Sequence, residues 1–402
     1  LPMETLIACA ALLLFGYGLV SARLDRTPIT APMIFVAVGL ILGPVGFDLF
    51  VVEMNSEVVK FIATITLMLI LFTDASLIDL KRLRQEYWIP LRLLAIGLPL
   101  TMALGYFIAV AFFPGVSLWM LAAMAFILSP TDAALGQAVV TSDQVPVKVR
   151  DSIGIESGLN DGIALPAIMA CMAALTAQAG TTMDFGYWLT FGAKQIAFGP
   201  VVGAAVGWGG GVLIDHAVKR DWMEPVFQRL ASIALAIVSY ALAEQLGGNG
   251  FIAAFFGGLL LGTRTPIVRE RLQEFGEAEG QQLCLLVFFI FGMVLVPAVR
   301  EYWDWTILCY ALLSLTVIRM LPVALSLVGG QLGGVTVGFI AWFGPRGIAS
   351  ILYLLIFVSE VGAKGHERLL SVIVLTVLLS VFIHGLSAVP LSKWYGGYCK
   401  RA

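Results

Sequence analysis

The chain has 402 residues, 59% of them hydrophobic and only 12% charged, with 24 Lys and Arg against 26 Asp and Glu and a formal net charge of −2. A soluble fold has no way to hide that much apolar surface, and without a basic excess there is nothing to hold nucleic acid. The composition points to an all-α polytopic membrane protein in which each charge far from a loop needs a reason.

A membrane span takes about 20 mostly apolar residues. Thirteen such stretches are predicted, at 5–22, 30–47, 58–76, 89–112, 118–140, 149–177, 187–214, 227–246, 250–261, 282–299, 305–328, 334–360 and 369–391. The first reads as a span and not a cleaved leader, because Arg23 and Arg26 follow it instead of preceding it; the native start is expected to lie before Leu1. The ninth is short, and the sixth, seventh and twelfth are long enough to tilt or break. No soluble regulatory domain is expected after the last span. The five cysteines show no C-x-x-C pair, so neither a disulfide framework nor a metal site is indicated.

Basic residues test this count. Seventeen of the 24 fall in connections or at span ends on one side, including Arg23, Arg26, Lys81, Arg82, Arg84, Arg269 and Arg271, and four fall on the other. The crowded side is therefore expected to be cytoplasmic, with the N-terminus outside and the C-terminus inside. Lys194, Arg319 and Arg346 are left within spans.

Two spans carry proline beside polar residues at mid-depth: the fifth, with Ser129-Pro130-Thr131-Asp132, and the twelfth, with Gly344-Pro345-Arg346-Gly347. Proline removes a backbone donor and breaks the helix, and in lipid the freed groups need partners. An odd offset of seven spans makes the two run in opposite directions, so spans 1–6 and 8–13 read as an inverted repeat. Interrupted helices at matching places in two halves point to the substrate site of a secondary transporter.

A charge at mid-bilayer costs at least ~2.5–3.5 kcal/mol, so the acids within or near spans are informative. In the sixth span, Glu156 and Asn160 share one helix face, and Ser157 and Asp161 the next, each pair four residues apart. Four oxygen-bearing groups in two turns suit a hard alkali cation, and the backbone carbonyls freed near Thr131 offer further oxygens. A membrane carboxylate at Asp161 can hold either a proton or a cation, and that competition is sufficient for exchange. Glu156 is expected to pair with a buried arginine, Arg319 or Arg346, since an unpaired buried charge is very costly. Arg346 is expected to compensate helix ends where the broken spans cross. Asp74, near the inner end of the third span, reads equally as a funnel acid or an interface marker. Glu244 reads as a solvated span end and Lys194 as a snorkelling side chain. The three histidines, His216, His366 and His384, read as lying near span ends without ligand spacing, and the 42 glycines as sites of close helix packing.

The strings Ser129-Pro130-Thr131-Asp132, Glu156-Ser157-Gly158-Leu159-Asn160-Asp161-Gly162 and Gly344-Pro345-Arg346-Gly347, with Ala243-Glu244-Gln245-Leu246-Gly247-Gly248, resemble the NhaP-type sodium/proton antiporters of the monovalent cation:proton antiporter-1 family, from about residue 28 to 391. The resemblance implies a thirteen-helix fold with spans 5 and 12 unwound and crossed. It implies an ion-transporting core near 56–178 and 281–391, a dimerisation part near 1–55 and 186–262, and a homodimer. It implies that Asp161 carries proton and cation, with Asp161, Ser157 and Thr131 as the Na⁺ ligands, that Thr131, Asp132, Ser157 and Asn160 shape the site, and that Glu156 pairs with Arg319. Members with Asn-Asp at this place are generally electroneutral and those with Asp-Asp electrogenic, so Asn160 implies one-for-one exchange. Two departures stand out. The family usually reads Thr-Asp-Pro, whereas here Pro130 precedes and Ala133 follows Asp132. A glutamate frequent after the Leu-Phe of the third span is replaced by Thr73, beside Asp74.

The sequence thus predicts an elevator-type Na⁺/H⁺ antiporter of a prokaryotic inner membrane, not an enzyme, with no cofactor beyond the transported Na⁺ and H⁺. A K⁺/H⁺ antiporter of the same fold is the nearest alternative. An intramembrane aspartyl protease using Asp132 and Asp161 is more remote, because its Tyr-Asp and Gly-x-Gly-Asp contexts are missing. A membrane sensor would need an output domain.

Overall fold

The computed structural model describes residues 3–24, 27–50, 54, 56–78, 88–132, 135–180, 185–264 and 280–401. Part of the basic charge used to orient the chain (Arg26, Lys81, Arg82, Arg84, Arg269 and Arg271) lies outside the described residues. Among them there is no strand. Among the described residues nine helices are long and apolar enough to cross a membrane, and four shorter apolar helices of 10–17 residues accompany them.

In chain order the helices are α1 (Met3–Leu24), α2 (Ala31–Leu42), α3 (Glu57–Leu77), α4 (Trp88–Phe112), α5 (Leu118–Ile127), α6 (Gln137–Val140), α7 (Val147–Gly180), α8 (Phe185–Lys219), α9 (Pro225–Gln245), α10 (Gly250–Arg264), α11 (Gly280–Tyr302), α12 (Trp305–Leu315), α13 (Val317–Ser326), α14 (Gly334–Trp342), α15 (Ile348–Glu360) and α16 (Glu367–Cys399). The fifth and twelfth predicted spans are each two helices, α5 with α6 and α14 with α15. The sixth and seventh, also long enough to break, run without interruption through Pro166 and Pro200. The eleventh divides at Thr316, which leaves helical geometry (φ −115°, ψ −93°) while its hydroxyl donates to the Leu312 carbonyl at 2.6 Å.

Two compact units divide the chain: Leu1–Phe61 with Trp88–Asn160 and Gln282–Ala402, and Ile62–Tyr87 with Asp161–Gln281. In the first, a core of Ile89, Leu93, Val149, Ile153, Val323, Phe339, Phe343 and Tyr395 packs where α4, α7, α13, α14 and α16 meet. Phe339 and Tyr395 stack with ring centroids 4.1 Å apart. Gly39 and Gly43 of α2 lie against the α11 backbone at Phe289 and Met293, where any side chain would collide.

The second unit repeats that logic. Gly203 and Gly207 of α8 face the α10 backbone at Ala253 and Gly257, and Gly258 and Gly262 on the other side of α10 face the Phe72 and Ser76 carbonyls of α3. Small residues let apolar helices approach within van der Waals range, the main attraction available between helices in lipid. The turn from α9 into α10 is built by the Ala243–Gly248 string. Gly247 takes φ +76°, the exposed Glu244 carboxylate accepts the Gly250 N–H at 2.7 Å, and Asn249 Oδ1 accepts that of Ile252 at 3.0 Å. Glu244 is therefore an exposed acid placed at the positive end of α10.

Candidate functional site

Both breaks follow from proline. Pro130 and Pro345 remove an N–H and disfavour helical geometry in the residue before them, so α5 ends at Ile127 and α14 at Trp342. The two open stretches are joined by a backbone hydrogen bond, Asp132 N–H to the Pro345 carbonyl at 2.9 Å. Each then sends its charged side chain to the other. The Asp132 carboxylate accepts the N–H of Ile348, the first residue of α15, at 2.5 Å and that of Leu135 at 3.3 Å. Arg346 Nη1 donates to the carbonyls of Ser129 at 2.8 Å and Pro130 at 3.2 Å, just past the end of α5. An anion thus sits at a helix N-terminus and a cation beyond a helix C-terminus, the arrangement that opposes both dipoles. Ser350 Oγ adds a bond to the Ile127 carbonyl at 2.7 Å. Gly347 is required here, because a Cβ would land on the Asp132 carboxylate.

A second charge pair lies beside the crossing. Arg319 of α13 meets Glu156 of α7 through two parallel bonds of 2.5 and 2.8 Å, with both side chains 1% exposed. The fork of a guanidinium matches a carboxylate in this way, and the pairing spares each the cost of an isolated buried charge. Gly344 leaves room for the guanidinium, on which a Cβ would collide.

Between crossing and pair, α7 presents polar groups to the first break. Asn160 Nδ2 donates to Thr131 Oγ1 at 2.6 Å, and Thr131 Oγ1 shares a hydrogen bond with Ser157 Oγ at 3.0 Å. All three residues are at most 3% exposed. The remaining oxygen of the group, Asn160 Oδ1, is buried with no hydrogen-bond partner among the described residues. A buried acceptor without a donor is costly and calls for a function or a ligand. Asp161 follows on the same helix and is 7% exposed. Asp74 is half-buried in α3, and Lys194 is exposed on α8.

His384 was not singled out by its sequence context, and its expected place near a span end is corrected. It is 1% exposed inside the long α16, with Nε2 at 3.1 Å from the Trp342 carbonyl and Nδ1 at 3.1 Å from Ser380 Oγ. Ser380 Oγ accepts the Arg346 N–H at 2.7 Å. The only cue in the sequence is the four-residue spacing of Ser380 and His384, which stacks them on one face.

Outside the spans, Asp304 caps α12. It accepts the Ile307 N–H at 2.8 Å and pairs with Arg368 at 2.7 Å. The Ile307 N–H first, and Arg368 with it, hold this carboxyl below the usual carboxylate range.

Comparison with known proteins extends the picture. The family described as sodium/hydrogen exchanger, transmembrane, matches residues 10–394. The chain is 27% identical over 379 residues to the K(+)/H(+) antiporter NhaP of Alkalimonas amylolytica, covering 93% of this chain and 64% of that protein. It is 23% identical over 314 residues to a Na(+)/H(+) antiporter of Schizosaccharomyces pombe, covering 71% of this chain and 67% of that one. The chain thus spans under two thirds of the length of its bacterial relative. Its fold matches the sodium proton antiporter MjNhaP1 from Methanocaldococcus jannaschii with a TM-score of 0.78 over 98% of both chains, at 18% identity.

Proposed function

The chain belongs to the sodium/hydrogen exchanger family, and on that premise we propose that it is a secondary antiporter exchanging Na⁺ for H⁺ across a prokaryotic inner membrane. The observation that carries the reading is the buried oxygen cluster of Thr131, Ser157 and Asn160, with Asn160 Oδ1 left without a donor. A dehydrated alkali cation needs several oxygens, and a buried carbonyl oxygen without a donor is free to serve as one of them.

Asp161 stands one helical turn beyond Ser157 and carries the exchange. With a proton it is neutral; with Na⁺ its charge is matched by the ion. Empty, it is a charged carboxylate in a low-dielectric setting, a state that costs several kcal/mol. Loaded forms change sides and the empty form does not, so cation and proton move in opposite directions. Asn160 adds an amide and no second titrating carboxylate, which supports one cation per proton. Ser157 and Thr131 supply ligand oxygens. Asp132 acts at one remove, holding the α15 N-terminus so that Thr131 stays at the break. Glu156 and Arg319 keep α7 and α13 in register, and Asp74 is proposed as the acid of the cytoplasmic funnel. The parts near 56–178 and 281–391 carry the ions by an elevator movement, and those near 1–55 and 186–262 form the homodimer contact.

A K⁺/H⁺ exchanger is the second reading, supported by the printed function of the Alkalimonas relative. One experiment tests both. The full chain in proteoliposomes with an imposed pH gradient is titrated with Na⁺, Li⁺ and K⁺, with the membrane potential clamped and free. Na⁺-driven proton flux insensitive to potential is expected, and Asp161→Asn abolishes it. Response to K⁺ alone moves the assignment to the second reading. Cation-dependent proton flux persisting in Asp161→Asn removes the assignment altogether.

A further inference from the structure

The break at Pro345 separates two groups that an intact helix would join. In an α-helix the N–H of one residue bonds the carbonyl four residues earlier, so the Arg346 N–H would meet the Trp342 carbonyl. Here neither faces the other. The Arg346 N–H donates to Ser380 Oγ at 2.7 Å, Ser380 Oγ lies 3.1 Å from His384 Nδ1, and His384 Nε2 lies 3.1 Å from the Trp342 carbonyl. That carbonyl also accepts the Gly344 N–H at 2.8 Å. Two side chains of α16, four residues apart, therefore stand in series where one helical hydrogen bond is missing.

We propose that His384, as the neutral imidazole with its proton on Nε2, is a positioning residue that splices this broken bond and so fixes the width of the break. Only that tautomer lets the chain run in one direction. The Arg346 N–H donates to the Ser380 hydroxyl, the hydroxyl donates to Nδ1, and Nε2–H donates to the Trp342 carbonyl. Bonds aligned head to tail strengthen one another. The Ser380 carbonyl, 3.3 Å from Nδ1, is an acceptor only for a proton that this tautomer does not carry there. The Trp342 side is clamped as well: its indole Nε1–H donates to Ser387 Oγ at 3.1 Å, and Ser387 Oγ donates to the His384 carbonyl at 3.2 Å. With the break held at one width, the Pro345 carbonyl remains in reach of the Asp132 N–H, and Arg346 in reach of Ser129 and Pro130. His384 touches no proposed ion ligand; it acts through the segment that orders Asp132 and, behind it, Thr131.

The proposal deepens the exchange reading, and only its transport arm rests on that reading. Glutamine can accept from Ser380 through Oε1 and donate to Trp342 through Nε2; leucine can do neither. In proteoliposomes, His384→Leu is expected to raise the KM for the cation about tenfold, the scale seen when a ligand's outer support is removed, while His384→Gln stays within about threefold of wild type. Equal losses in Leu and Gln, or a loss confined to protein yield and thermal stability, overturn the proposal. The second arm needs no transport and no folded variant: ¹⁵N solid-state NMR of the histidine-labelled full chain. A resonance pair with a non-protonated Nδ1 and a protonated Nε2 is expected for His384. An Nδ1–H tautomer or an imidazolium at His384 overturns the splice. Absent exchange alongside the expected tautomer discards the functional reading and leaves the splice standing.

Discussion

At the crossing of the Pro130 and Pro345 breaks the backbone is open, and side chains close it; along α8, α10 and α3 the backbone is closed, and side chains are missing where the helices touch. The first region spends Asp132, Arg346, Ser350, Ser380 and His384 on main-chain groups. The second puts Gly203, Gly207, Gly258 and Gly262 against neighbouring backbones. Both answer the same constraint, that lipid offers no partner to an exposed peptide group. The difference lies in what each leaves over. A glycine seam leaves no chemical group to use, whereas a broken helix repaired by side chains leaves oxygens such as those of Thr131 and Asn160 at the break.

Four perturbations test this contrast, in order of expected effect. Glu156→Ala strands the Arg319 guanidinium in the interior and should cost about 3–5 kcal/mol, read as a large drop in thermal stability of the detergent-solubilised protein or as failure to accumulate. Gly258→Leu drives a side chain into the Phe72 carbonyl and should cost at least about 1–3 kcal/mol. Gly209→Ala, with open space around it, is the matched control and should be neutral in the same melt. If both glycines respond alike, the seam is not what packs α10 against α3.

Asp132→Asn keeps the shape but replaces one accepting oxygen by an NH2, so the Ile348 and Leu135 N–H groups cannot both be satisfied, at about 1–3 kcal/mol. Amide protection at Ile348 or Leu135 should fall in hydrogen exchange, with the α8–α10 amides unchanged. The smallest effect is expected at Asp304, outside the spans. Its carboxyl is held below the ordinary value of 3.8, so the charged form stabilises the fold above that pH. The contribution fades as pH falls through the lowered folded-state value. Asp304→Asn should melt slightly below wild type at neutral pH, and the gap should close in strong acid; a gap that widens there would contradict the assigned sign.

Legibility in the sequence follows the range of the interactions. The breaks at Pro130 and Pro345 can be read because proline acts on its own neighbours, and the Glu156–Asp161 string because four-residue spacing defines helix faces. The break at Thr316 cannot, since neither proline nor glycine stands there. The resemblance groups Asp132 with Thr131, Ser157 and Asn160. Its carboxylate also accepts the N–H of Ile348, 216 residues away, a donor that no local pattern announces. His384 is hidden for the same reason: its Nε2 meets Trp342 at a backbone carbonyl, a group that every residue has. Glu244, read as a solvated acid, is exposed and also caps α10, because the chain reverses within the six residues that separate it from Gly250.

The Arg346 residue has a dynamic consequence. Its guanidinium grips the Ser129 and Pro130 carbonyls, its amide grips α16 through Ser380, and Pro345 before it and Ile348 two residues after it bind Asp132. Opening any one of these contacts strains the others, so the amides of Asp132, Arg346 and Ile348 should exchange with solvent deuterium at one common rate. In kinetic terms the crossing is a single cooperative opening unit embedded among helices that fray independently.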